Sequence, residues 1–194
     1  MKHLELIDEF IVTLRNKDGV YEIKSPKDLI DGVNIDSVKY NFKEMRFFDD
    51  KLSILLPKEF HQMNERTAKE KYSAEARPSV IWTNSDNTID FTLNLTDEPL
   101  RTVQLPLMRA TMKDAIGKVH PSTMFFDDGR IENENRVIEF FDFKSFALEG
   151  LVYNIMFFTP VSGKLLIGTF NCTFVLFKDW KPAVLQVMES VHTQ

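Results

Sequence analysis

The chain has 194 residues, 43% of them hydrophobic and 27% charged, and a formal net charge of −5. That length suits one domain that buries its own core without a disulfide or a metal. The acidic balance, with its positive residues scattered, lacks the basic footprint that neutralises nucleic-acid phosphates. The longest apolar runs fall far short of the roughly 20 residues a membrane span requires. The single cysteine, Cys172, excludes an intramolecular disulfide and a cysteine-based metal cluster, and makes a reducing, cytoplasmic setting the default expectation.

At the start of the chain, Glu5, Asp8 and Glu9 interrupt the apolar pattern, which argues against a signal-peptide core. Leu4, Ile7, Ile11 and Leu14 fit helical spacing, whereas residues 10–25 also read as a hairpin around Asp18-Gly19. The expectation is a short helix or extended lead-in followed by that hairpin. Ser25, Pro26 and Gly32 then predict the cap, first turn and end of a short helix. Residues 44–57 form a second predicted hairpin, with Leu52, Ile54 and Leu56 on one face and Pro57 ending the strand. A polar, helix-tolerant stretch follows, and Arg77-Pro78 restarts the extended chain.

Residues 79–95 carry the clearest hairpin, turning at Asn84 to Asn87. Ile89, Phe91, Leu93 and Leu95 alternate with Asp90, Thr92, Asn94 and Thr96, which predicts one buried face and one wet or lightly covered face. Met108, Met112, Ala115, Ile116 and Val119 then predict a helix with Pro106 near its start, ending at His120-Pro121. Three or four strands come next. Asp127-Asp128-Gly129 reads as a solvated turn in the first, and Ser162-Gly163 turns the last pair. These strands carry apolar residues on both parities, as expected of strands covered on both sides. Asp179 is the expected N-cap of a terminal helix bearing Val184, Leu185, Met188 and Val191 on one side. The layout predicts an α+β fold, a mostly antiparallel β-sheet sandwiched between helices. Residues 44–194 form the single globular unit, and residues 1–43 an N-terminal extension.

Three stretches bear a family likeness. They are KLSILLPKEF (51–60), KYSAEARPSVIWTNSDNTIDFTLNL (71–95), and the ending GKLLIGTFNC with DWKPAVLQVMESV. Over about residues 44–191 the chain resembles the PsbP-like superfamily, which takes in PsbP, the Mog proteins and the DcrB-like proteins. The resemblance implies an antiparallel sheet between helices and a role in binding or assembly. It brings no shared catalytic constellation, so it assigns no site residue.

The candidate chemistry is thin. His3, His61, His120 and His192 show no metal-ligand spacing. Asp127 and Asp128 with Glu132 and Glu134 look like a cation-collecting loop but lack the calcium-loop pattern. Cys172, between aromatic neighbours, reads as a buried structural thiol. Trp82 and Trp180 read first as core and second as partner anchors. The pairs Phe47-Phe48, Phe125-Phe126, Phe140-Phe141 and Phe157-Phe158 load both sides of a sheet, or leave part of one side as a patch for a partner. Trp82, Trp180, Phe47 and Phe126 are the candidate partner contacts. The resulting expectation is a non-catalytic protein-interaction or assembly module without cofactor, nucleic-acid or membrane partner. The alternatives are a small-molecule binder or hydrolase assembled from distant residues, and a homo-oligomeric structural protein.

Overall fold

The computed structural model describes residues 25–72, 77–133, 136–147 and 150–193, so the expected helix or hairpin before Ser25 lies outside the described residues. The first described element is helix α1 (Pro26–Asp31), framed as anticipated by Ser25 and by Gly32 at φ 98°. Its reciprocal bond is supplied by Asp28, whose carboxylate accepts from the Ser25 N–H at 3.0 Å. A small ribbon, β1 (Val33–Ile35) and β2 (Val38–Tyr40), leads into the hairpin of β3 (Phe42–Phe47) and β4 (Leu52–Pro57). Phe48, Asp49 and Asp50 turn that hairpin, all at positive φ. Phe48 is therefore a turn residue and does not load the face opposite Phe47, as a strand neighbour would. Leu29, Ile35 and Phe42 sit in the same buried cluster as the later strands.

β5 (His61–Gln62) and helix α2 (Glu65–Lys71) precede β6 (Val80–Thr83) and β7 (Asp90–Pro99). Helix α3 (Leu105–Val119) ends at His120 as its pattern predicts. Then come β8 (Met124–Asn133), β9 (Arg136–Ala147), β10 (Gly150–Val161) and β11 (Lys164–Thr173). Helix α4 (Phe177–Glu189) and β12 (His192–Thr193) follow. Two boundaries differ from the sequence reading. Asp127-Asp128-Gly129 is not a turn, because β8 runs through it, with a bulge between Phe125 and Asp128 that re-aims the two carboxylates. α4 begins two residues before Asp179, which sits in its first turn, and Pro182 lies inside the helix.

Among the described residues the large sheet has seven strands in the order β5-β6-β7-β11-β10-β9-β8, each pair antiparallel. A separate three-stranded sheet, β12-β4-β3, pairs His192 and Thr193 with Ser53 and Leu52. The inner face of the large sheet carries Phe91, Ile138, Tyr153, Ile155, Phe157 and Phe170 and shares one core with α4, β3 and β4. The outer face carries Phe141, Phe143, Phe158 and Leu165 and is roofed by α3. The paired phenylalanines of β9 and β10 thus divide between faces as expected.

The inner face is closely fitted. Trp180, 1% exposed, has Tyr40, Phe60, Phe91 and Phe170 with ring centroids 5.0 to 6.3 Å away. Phe157 lies across its partner Gly168 so closely that a Cβ there would stand 2.0 Å from the ring. Helix α3 covers less. Only Leu105 is buried, Met108, Met112 and Ile116 are half-buried, and Ala115 and Val119, expected on its buried side, face solvent. Charge supplements this roof: Arg109 reaches Asp128 at 2.9 Å and the buried Glu139 at 3.2 Å, and Lys113 reaches Asp128 at 3.1 Å. No helix among the described residues is long and apolar enough to cross a membrane.

Candidate functional site

Beyond the reach of α3, the outer face changes character. The register sets Thr83 opposite Asp90, Asp90 opposite Asn171, and Asn171 opposite Asn154, a polar row across β6, β7, β11 and β10. Ser145 on β9 continues it diagonally, with its hydroxyl accepting from Asn154 Nδ2 at 3.0 Å. Its Asn171, Asn154 and Ser145 end floors a groove of about 690 Å³, with Asp90 and Thr83 buried beside it.

One wall of the groove is α2. Asn64 caps it, accepting from the Thr67 N–H at 2.9 Å, and the i, i+3, i+4 spacing then turns Thr67, Glu70 and Lys71 to one side. The rim is the β6–β7 turn, where Asn84 Oδ1 accepts from the Thr88 N–H at 2.9 Å and the Ile89 N–H at 3.1 Å. That bracing positions Asp86, Asn87 and Thr88 at the edge. The opposite wall is the end of the β9–β10 hairpin, with Ala147, Leu151 and Val152.

Asp90 anchors the assembly. It is fully buried, more so than the wet or lightly covered face its alternation suggested, and such a carboxylate is tolerated only when bonded on all sides. Thr83 Oγ1 donates to one oxygen at 2.6 Å, while Tyr72 Oη at 2.6 Å and Lys71 Nζ at 2.7 Å donate to the other. Lys71 also donates to the Asn87 carbonyl at 2.7 Å, which ties α2 to the turn.

The carboxamides of the floor behave differently. Asn154 directs its NH2 into the protein, toward Ser145 Oγ and the Val152 carbonyl. Asn171 directs its NH2 toward Tyr72 Oη at 3.4 Å. No donor among the described residues engages either carbonyl oxygen, and Asn87 Oδ1 on the wall is buried without a hydrogen-bond partner. The site thus combines a saturated anchor with uncommitted acceptors.

Apart from Cys172, which the groove lining includes, the candidate residues singled out in the sequence lie elsewhere. Trp180 is the centre of the inner core, where its contribution is packing. Trp82 is half-buried beside Phe47, ring centroids 6.2 Å apart, and its indole N–H is buried without an acceptor. Phe126 stacks with Phe174 and Phe177 at 6.1 and 6.4 Å, next to Tyr153. There Asp142 accepts from Tyr153 at 2.5 Å and from Lys181 at 2.6 Å, and Lys181 also binds Asp127 at 2.6 Å. Burial, then the adjacent Asp142 charge, pushes the Tyr153 phenol far above its ordinary range. Asp127 and Asp128, which superficially resemble a cation-collecting loop in the sequence, are thus each engaged by basic side chains. Cys172 is 1% exposed in the inner core; burial, then Asp179, pushes its thiol well up, away from nucleophilic use. His61 and His120 lie outside the groove lining, and among the described residues no three metal-ligating groups stand together. Sequence reasoning missed the groove residues, although Asn154 and Asn171 left a trace as lone amides within apolar strands.

No family model matches the chain, and no curated protein does. Solved structures do resemble it. The solution structure of cyanobacterial PsbP (CyanoP) from Synechocystis sp. PCC 6803 aligns over 79% of this chain and 92% of its own at 9% identity, with a TM-score of 0.60. LpqN, involved in cell envelope biogenesis of Mycobacterium tuberculosis, aligns over 80% of this chain and 92% of its own at 10% identity, with a TM-score of 0.51. A protein from Bacteroides thetaiotaomicron VPI-5482 aligns over 78% of this chain at 9% identity, with a TM-score of 0.53, and the match spans 48% of that protein. Likeness at such identities speaks to architecture alone. On that ground the chain has the PsbP-like fold, an antiparallel sheet held between helices.

Proposed function

We propose that the chain is a non-catalytic accessory module that works by holding a partner protein, and that a segment of the partner sits in the groove between α2 and the β9–β10 hairpin. The observation that carries this reading is the pair Asn171 and Asn154 on the floor, whose carboxamide oxygens are left open while the buried Asp90 beside them is saturated. A saturated carboxylate is a poor general base, since its lone pairs are already committed. Open carboxamide oxygens accept from main-chain and side-chain donors alike. Leu151 and Val152 on the far wall add apolar contact, the mixture typical of a transient interface.

The test places a photo-crosslinking amino acid at Leu151, and in a control at Leu107 on the exposed side of α3. A discrete crosslinked species from Leu151, absent from Leu107 and abolished by a Thr173→Trp plug, is the expected result. Thr173 is exposed on the groove lining, so the plug leaves the core intact. Equal crosslinking from both positions, or indifference to the plug, overturns the proposal.

A further inference from the structure

We infer that the group received by the groove is cationic and donor-rich, an ammonium or guanidinium, and this rests on the groove being the binding seat. The orientation of the amides carries the argument. A planar carboxamide that turns its NH2 toward one side presents its oxygen to the other. Asn154 and Asn171 are direct cross-strand neighbours, and both commit their NH2 groups to protein acceptors. Two carbonyl oxygens therefore stand side by side on the floor. A ligand that is itself an acceptor leaves both unpaired, whereas one carrying several N–H groups satisfies them together.

The charges agree with the hydrogen bonding. Glu70 and Asp86 are among the lining residues; Glu70 is already paired with Arg66 at 3.1 Å, so Asp86 is the carboxylate that no basic side chain among the described residues engages. Lys71 is the one cation among the lining residues, and it is already neutralised by Asp90 at 2.7 Å, so it does not repel a second cation as a free ammonium would. The chain as a whole is acidic, which steers cations toward it. The same chemistry is available from a free polyamine and from a lysine or arginine side chain of a partner segment.

Calorimetry on the full chain separates these sources. The probes are spermidine, the end-blocked tripeptides Gly-Lys-Gly and Gly-Arg-Gly, 1,8-octanediol as the neutral control and glutarate as the anionic one. Saturable binding of a cationic probe, with the diol and glutarate at least tenfold weaker, is the expected result. A blocked tripeptide that outbinds spermidine assigns the site to a partner side chain, and the reverse order assigns it to a free amine. Asn154→Asp, which puts a charge on the floor, is expected to tighten the cationic probe severalfold, and Asp86→Lys at the exposed rim to weaken it about tenfold. The gain of affinity guards against a variant that merely unfolds. Preferential binding of the diol or glutarate in a Thr173→Trp-sensitive manner overturns the cation assignment while leaving the groove as the seat. The absence of binding by every cationic probe, with crosslinking from Leu151 still plug-sensitive, overturns the assignment in the same way. Loss of the crosslinking pattern overturns the seat itself.

Discussion

On its inner face the seven-stranded sheet meets Trp180, Ala183, Val184, Val187 and Met188, all at most 1% exposed, and a second sheet closes the layer behind them. On its outer face α3 buries one side chain completely, and past its end the floor is carboxamide and hydroxyl. Both faces belong to the same strands, so the contrast reads strand by strand. In β10, Tyr153, Ile155 and Phe157 point inward, while Asn154 and Met156 point outward and are half-buried. One face spends apolar area on stability. The other keeps hydrogen-bonding groups at the surface, where they remain available to something else. Such groups are tolerable there because those that are buried, Asp90 and Glu139, are matched by donors and cations.

Four measurements sharpen or break this contrast. Trp180→Ala removes the hub of the inner core and is expected to cost about 3–5 kcal/mol in urea unfolding, as for other large buried aromatics. A loss under about 1 kcal/mol would show that the inner face does not carry the stability assigned to it. Gly168→Ala pushes a methyl into the Phe157 ring and is expected to cost about 1–3 kcal/mol. Adding Phe157→Leu should recover part of that loss, and a purely additive double variant would locate the strain elsewhere. In native-state hydrogen exchange, α3 amides should open at a free energy at least about 1 kcal/mol below those of α4. The gap should widen in about 1 M salt, where screening weakens the Arg109 and Lys113 pairs. The smallest effect belongs to Trp82→Phe. It gives up some apolar area but also removes a buried N–H with no acceptor, so the net change should stay within about 1 kcal/mol.

Much of the fold is legible in local chemistry. Ser25, Pro26 and Gly32 mark α1, the turns at Asn84–Asn87 and Ser162-Gly163 mark their hairpins, and the Met108, Met112, Ile116 spacing marks α3. These signals act within a few residues, where the cause and its effect share one window of sequence. What escapes is whatever depends on register. β12 is two residues long and carries no periodicity, so its pairing with β4 leaves no pattern to read. Asp127-Asp128-Gly129 has turn chemistry, yet pairing with β9 turns it into a bulge. Asp90 alternates like a solvent-facing residue, and its partner Tyr72 lies 18 positions away in the chain. The groove needs Ser145, Asn154 and Asn171 to come level across three strands, which hydrophobic alternation along a single strand does not specify.

The closing of the small sheet bears on how the chain is made. Leu55 donates its N–H to Ser190 Oγ across 135 positions, and α4 fills the space between β4 and the large sheet. Translation at about 5–20 residues per second separates those two positions by roughly 7–27 s. Through that interval Leu52 and Ile54 have no Trp180 or Val187 to cover them. The nascent chain therefore holds most of its strands before it holds its core, and its demand for a chaperone should peak just before residue 191 leaves the ribosome.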